Sequence, residues 1–244
     1  MVFLCFMQLF YTPHIEPHHR SFLLNEEESK HAIRVLRLQA GAVVHLIDGR
    51  GGLYKTEIID PHPKRTSLRV LEVETGVDKP AYHLHIAVAP TKSIDRMEWF
   101  LEKATEVGIQ EFTPIICVRS ERKEVKVERL EKVAVAAMKQ SLKAYLPKIN
   151  AAIDFPKFLK QYGDTSGVHK GIAHCLDTEK KYISSFRAGE KYLFLIGPEG
   201  DFSEDEIRQA TEHGFVPISL GKARLRTETA ALAVCLETSL FNRY

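Results

Sequence analysis

The chain contains no Cys-x-x-Cys pair, no G-x-G-x-x-G and no G-x-x-x-x-G-K-[ST]. Its four cysteines, Cys5, Cys117, Cys175 and Cys235, are widely scattered. That excludes a disulfide framework and a zinc site, and it fits a reducing, cytoplasmic setting. The missing glycine fingerprints exclude the ordinary dinucleotide fold and the phosphate loop of nucleotide triphosphatases. His83 and His85 alternate on one predicted strand without partners at ligand spacing, so both are structural and no metal is expected. An excess of either charge is lacking as well: 34 Lys or Arg nearly balance 32 Asp or Glu, the net charge is only +2, and the molecule is no polycation. The apolar opening Met1–Tyr11 lacks a basic leader and is short of the roughly 20 apolar residues that span a bilayer. It predicts neither a signal peptide nor a membrane partner. Met7 offers an alternative start, which makes residues 1–6 dispensable. No internal repeat or low-complexity tract is visible.

What is present is enough chain for one large or two modest cores: 244 residues, 44% hydrophobic and 27% charged. Up to Thr75, short β-type runs such as Val43–Ile47 and Thr56–Ile59 alternate with turn clusters at 48–52 and 60–63. This spacing predicts a β-rich module or small β-barrel. One helix, Glu26 to Leu38, interrupts it. The turn-rich stretch Gly76–Pro80 marks a boundary, giving domains over 1–76 and 77–244. Beyond it the rhythm is strand then helix: a strand at His83–Ala89, a helix at Ile94–Val107 closed by Gly108, a strand at Glu111–Val118, and a long helix from Val127 to Leu146. Weaker strands are predicted at 151–153 and 171–176. Lys191–Ile196 is a near-continuous apolar run, as in a strand buried on both faces of a parallel sheet. Ser203–Glu206 is a capping-box sequence for the next helix, Phe215–Leu220 is a strand, and an apolar helix from about Thr229 to Phe241 is suited to core or subunit interface. Alternating units of this kind define an α/β domain with a mostly parallel sheet.

Between Val118 and Lys148 there are nine Lys or Arg against four Asp or Glu, which reads equally as a solvated helix face or an RNA-facing surface. Two glycine-bearing turns are more informative. Gly197-Pro-Glu-Gly200 and the stretch Leu220–Ala230 each join a strand to a helix, and their proximity suggests one shared pocket at the carboxyl ends of the strands. Leu195, Ile196, Gly197, Gly200, Leu220, Gly221 and Leu225 suit a nucleoside-type ligand, with close backbone approach and apolar walls.

Ile196-Gly-Pro-Glu-Gly-Asp-Phe-Ser-Glu-Asp-Glu206 and Ser219-Leu-Gly-Lys-Ala-Arg-Leu-Arg-Thr-Glu-Thr-Ala-Ala231 resemble the two signature blocks of the ribosomal RNA small subunit methyltransferase E family. Three further blocks, His31–Gly41, Arg96–Gly108 and Gln140-Ser141 with Leu146-Pro147, resemble others in the same order, so the likeness covers nearly all of the chain from Gln8 onward. It departs at Asp201, where the family usually has Gly, and at Lys143, where it usually has Arg. The resemblance implies a PUA-like RNA-binding β-barrel, followed by a SPOUT-class α/β methyltransferase domain with a C-terminal trefoil knot. It also implies a homodimer, S-adenosylmethionine as methyl donor, and uridine N3 of 16S ribosomal RNA, naked or in the assembled small subunit, as the target. A catalytically silent RNA-binding or ribosome-assembly factor on the same fold is the alternative.

On that resemblance Ser219, Glu199, Arg226, Thr229 and Ala230 join the cofactor pocket. Transfer to uracil N3 requires removal of an imide proton and stabilisation of the anion. Arg226 is the preferred electrophilic group, with anchoring of its loop to Glu228 or to a carbonyl as the competing role. Glu199 is read as proton acceptor or as the orienter of an arginine, against a plain amide-capping role. His31, Arg34 and Arg37, spaced by three on one predicted helix, are expected to contact RNA phosphate, as are Lys92, Arg96, Gln140 and Lys143.

Overall fold

The computed structural model describes residues 7–243, so the reading of residues 1–6 as dispensable lies outside the described residues. The chain divides into two compact units. One runs up to Lys79 and takes in Met138–Leu146; the other comprises Pro80–Ala137 and the chain from Pro147 onward.

In the first unit β1 (Leu9–Tyr11), β2 (Ser21–Leu23), β3 (Val43–Ile47), β4 (Leu53–Asp60) and β5 (Ser67–Glu74) pair in the order β1-β3-β4-β5-β2. Only β1 and β3 run parallel; the other pairs are antiparallel. The end strands are three residues each and do not pair with one another among the described residues. The expected barrel is therefore an open five-stranded sheet. Its apolar face, with Phe10, Val44, Leu46, Tyr54, Ile58 and Leu68, is closed by Ala32 from the intervening helix.

That helix is shorter than its periodicity suggests. α1 (Glu26–Lys30) is capped by the Asn25 side chain and passes into a π turn at His31–Val35. Arg37 then adopts φ 55, so His31, Arg34 and Arg37 do not share one helical face. α3 (Val127–Gln140) likewise stops six residues before Leu146. Leu142 enters the left-handed region at φ 56, and the Ala144 carbonyl accepts the Gly51 amide at 2.9 Å instead of continuing a helical ladder. Gln140 and Lys143 thus belong with the first unit.

The second unit is built on β6 (His83–Val88), β7 (Glu111–Ile116), β8 (Lys148–Ile149), β9 (Ile153–Asp154), β10 (Val168–Ala173), β11 (Lys191–Ile196) and β12 (Val216–Ile218). The order is β12-β10-β11-β6-β7-β8, with β9 also on β7, and every pairing is parallel. β11 shows why its sequence is apolar throughout. Leu193 and Leu195 pack with Phe155, Phe158 and Leu159 of α4 (Phe155–Tyr162) and with Ile207 of α5 (Glu204–Glu212). Tyr192 and Phe194 alternate to the opposite face, which α6 (Thr227–Phe241) covers while packing on α2 (Ile94–Val107). Gly108 terminates α2 at φ 105, and Ser203 and Glu206 form the predicted capping box. Gly171 lies where a Cβ would meet the Phe194 ring at 2.6 Å, so the close approach of β10 to β11 requires glycine.

His85 is a core residue, as expected. Its Nε2 is 2.7 Å from Thr113 Oγ1, and its ring packs on Phe158 and Tyr162. Burial pushes its imidazole down to about 4 against the pull of Glu111, with His83 and Lys148 reinforcing the fall. The folded form therefore holds His85 neutral, while the unfolded chain binds a proton near 6.5. Its stability contribution is present above pH 6.5 and is lost as pH falls towards 4. The gap corresponds to about 3 kcal/mol. Urea unfolding between pH 7 and 4 is expected to show this loss, and His85→Phe to flatten it; an unchanged slope would remove His85 from the acid response.

Candidate functional site

Because the sheet is parallel, β6, β10, β11 and β12 all end on one edge. β6 continues to β7 on one side, whereas β11 continues past β10 to β12 on the other, so the order reverses between β6 and β11. Reversals of this kind open a crevice beyond the strand ends. Both glycine turns lie there: 197–201 follows β11 and 219–226 follows β12.

Three contacts fasten these turns, and a fourth braces the loop after β6. Thr227 Oγ1, buried at the start of α6, donates to the Gly197 carbonyl at 3.1 Å and joins the two turns directly. Glu199 Oε1 accepts the Lys92 amide at 2.9 Å, tying the first turn to the loop after β6. Arg119 Nη1 donates to the Gly200 carbonyl at 2.9 Å, and Arg122 Nη2 to that of Lys92 at 2.8 Å. Two arginines of the basic run therefore act as internal braces. Sequence reasoning missed this, because a charge count does not say where a guanidinium lands.

Asp201 occupies φ 63, a conformation glycine adopts freely and Asp tolerates. Its Oδ2 accepts the Cys175 amide at 2.8 Å and its Oδ1 the Phe202 amide at 2.8 Å. The carboxylate that departs from the family pattern thus replaces conformational freedom with a clamp between the first turn and the end of β10. Asp201→Ala should cost about 1–2 kcal/mol in urea unfolding, since it loses both bonds and keeps the left-handed backbone; Asp201→Gly should cost less. Equal losses for the two would contradict the clamp.

The expected pocket residues are distributed unevenly. Leu195 is fully buried in the apolar core, so only its backbone faces the edge. Ile196 is buried too, and its carbonyl accepts the Ala89 amide at 2.9 Å. Gly197 packs where a Cβ would sit 3.0 Å from the Phe202 ring, which accounts for glycine there. Ser219 Oγ accepts the Gly221 amide at 3.3 Å, and Gly221 needs its φ of 94. No other amide from Leu220 to Arg226 is hydrogen-bonded among the described residues.

At the end of β10, His174 is 7% exposed and neither ring nitrogen has a partner among the described residues. Burial and Lys180 hold its imidazole below the usual histidine range, against Asp201. Unengaged amides and a neutral, unpartnered imidazole suit a ligand rich in hydroxyl and amine groups, as a nucleoside-type cofactor is.

Beside the second turn lies a groove of about 610 Å³ lined by Asp95, Arg96, Trp99, Arg224, Leu225, Arg226, Glu228 and Thr229. α2 supplies Arg96 and Trp99 from one face, and the start of α6 supplies Glu228 and Thr229. Arg226 stands at the N-cap of α6 without a side-chain capping bond. It forms no ion pair with Glu228; Arg96 Nε instead lies 3.9 Å from Glu228 Oε1. Trp99, 44% exposed, was carried by the sequence block that resembles the family's central helix but was not singled out there. Lys92 Nζ pairs with Glu121 at 2.9 Å, and that carboxylate holds its ammonium pKa up. Among the RNA candidates, His31, Arg34, Arg37, Gln140 and Lys143 belong to the first unit, and Lys92 and Arg96 to the second.

An all-parallel α/β unit with two facing turns at its carboxyl edge, in a chain that also carries a β-rich unit, is the plan of an RNA methyltransferase with a PUA-like domain. Residues 78–238 match the RNA methyltransferase domain family, and residues 24–71 match the RNA methyltransferase PUA domain family. The chain is 31% identical over 175 residues to the ribosomal RNA small subunit methyltransferase E of Mesomycoplasma hyopneumoniae, covering 70% of this chain and 75% of that one. It is 41% identical to a "probable rRNA-methyltransferase" from Porphyromonas gingivalis, whose crystal structure matches with a TM-score of 0.89 over 97% of this chain and 98% of that one. The ribosomal RNA small subunit methyltransferase E of Neisseria gonorrhoeae, crystallised bound to S-adenosyl methionine, matches at 27% identity and a TM-score of 0.85 over 96% and 97%. The chain belongs to the ribosomal RNA small subunit methyltransferase E family and is an rRNA methyltransferase.

Proposed function

We propose that the protein transfers a methyl group from S-adenosylmethionine to N3 of a uridine in 16S ribosomal RNA. The observation that carries this is the Thr227–Gly197 bond, which brings the two turns together beside the arginine-lined groove. The α/β unit is SPOUT-class, its knot formed by the chain between β11 and α6. Residues 77–244 carry the methyltransferase activity and 1–76 the RNA-binding role.

The backbone of 195–197, the turn at Glu199 and Gly200, and Ser219, Leu220, Gly221, Leu225, Thr229 and Ala230 hold the cofactor. S-adenosylmethionine supplies, when bound, a methyl group on a positively charged sulfur. Arg226 stabilises the uracil anion. Glu199 orients the first turn through the Lys92 amide, the use its observed bond supports. His31, Arg34, Arg37, Lys92, Arg96, Gln140 and Lys143 contact RNA phosphate.

Exposed Leu236 and Leu240 on α6 favour a homodimer built on that helix. The unpaired cysteines, the rRNA substrate and the absence, among the described residues, of a helix long and apolar enough to cross a membrane favour the cytoplasm.

Undermethylated small subunits and naked 16S rRNA, each incubated with protein and S-adenosylmethionine, test the reading by reverse transcription. A new stop at one uridine is expected, because N3 methylation blocks the Watson–Crick edge. Methyl incorporation without such a stop would move the target atom, and no incorporation would overturn the reading. Binding of an rRNA fragment should also weaken steeply as salt rises.

A further inference from the structure

Removal of the N3 proton needs an acceptor, and most carboxylates near the groove are already engaged. Glu199 accepts the Lys92 amide, Asp201 the Cys175 and Phe202 amides, and Asp95 lies 3.4 Å from Arg129 Nη2. Glu228 is different. It lines the groove, is only 6% exposed, and neither of its oxygens accepts a hydrogen bond among the described residues. Its Oε2 is sealed from solvent, and its nearest cation, Arg96 Nε, stands 3.9 Å from Oε1, beyond hydrogen-bond reach. A carboxylate withdrawn from water normally gathers donors. This one faces a groove whose other lining charges are Arg96, Arg224, Arg226 and Asp95.

Resting on the methyl-transfer reading above, we propose that Glu228 is the proton acceptor for uracil N3. The N3–H bond breaks, the proton passes to the Glu228 carboxylate, and the electron pair stays on N3. That pair forms the new bond to the methyl carbon as the carbon–sulfur bond breaks and its electrons return to sulfur. Glu228 then releases its proton to water. Arg226 balances the negative charge on the uracil ring during transfer, so acid–base and electrostatic functions fall to neighbours flanking Thr227. The other use of Glu228, holding Arg96 in place, predicts a different response to the acidity of the substrate.

Glu228→Gln keeps the shape of the side chain and removes its basicity. On undermethylated small subunits, single-turnover transfer is expected to fall about 100-fold or more. Melting temperature and calorimetric S-adenosylhomocysteine affinity should stay close to those of the parent. Subunits carrying 5-fluorouridine, whose N3–H is more acidic, should restore much of the lost rate to E228Q and none to Arg96→Ala. The E228Q rate should also keep climbing with pH as uridine ionises by itself. Glu228→Asp, which retains a shorter base, should lie between Gln and parent, and it carries the test should E228Q fail to fold. Near-parent transfer by E228Q, or equal losses on uridine and 5-fluorouridine substrates, would overturn the assignment. A parent protein inert towards both substrates would overturn the methyl-transfer reading itself, and this assignment with it.

Discussion

Arg226→Ala is expected to lower methyl transfer by about 10²- to 10³-fold while S-adenosylhomocysteine binding remains measurable by calorimetry. The guanidinium is exposed at the head of α6 and makes no hydrogen bond or ion pair among the described residues. Its backbone alone holds the N-cap position, at φ −73 and ψ 158. Removing the side chain therefore leaves the helix start intact, and the loss falls on the reaction. Arg226→Lys keeps the charge without the planar fork and should recover only part of the rate. Near-normal turnover by Arg226→Ala would take this residue out of the mechanism.

The largest stability loss is expected at Glu206, far less conspicuous in the sequence. Its Oε2 accepts the Ser203 amide at 2.8 Å and the Ser203 hydroxyl at 3.1 Å, while its Oε1 accepts the Val118 amide at 2.8 Å. One buried carboxylate thus closes the α5 capping box and fixes the loop after β7, from which Arg119 reaches the first turn and Arg122 the loop after β6. Glu206→Ala leaves these donors without their acceptor and should cost about 3 kcal/mol. For a chain of this size that is a fall of roughly 6–12 °C in melting temperature. Glu206→Gln, with one good acceptor left, should lose less. A melting temperature unchanged in the Ala variant would refute the bracing role.

The parallel sheet and the two turns were legible because their signals are local. The apolar run 191–196, the C-terminal Gly108, and Ser203 with Glu206 three residues on each encode their element within a few positions. Helix ends were misjudged where distant contacts decide them. Periodicity carries the first helix to Leu38, yet Leu36 and Leu38 donate back to the His31 and Ala32 carbonyls in wider, non-α turns. Similarly, the run after Gln140 is recruited by Gly49 and Gly51, some 95 residues earlier in the chain, through bonds no window of sequence contains. The resemblance located the motif around Arg226, but not that Glu228 beside it lacks a hydrogen-bond donor among the described residues. Which carboxylate is left without a donor depends on where every other donor goes, and only the assembled fold decides that.

Gly197 and Thr227 are separated by 30 residues, α5 and β12 among them, yet one hydroxyl makes them neighbours. Arg226 is the next residue back. From the first turn to the root of the charged side chain, the path is one hydrogen bond, the short Thr227 side chain and one planar peptide unit, which has almost no internal freedom. Placement error that would accumulate along a helix and a strand is short-circuited at that point. The spacing between Gly197 and Arg226 is therefore set along a short three-step ruler, whatever the length or composition of the chain between them.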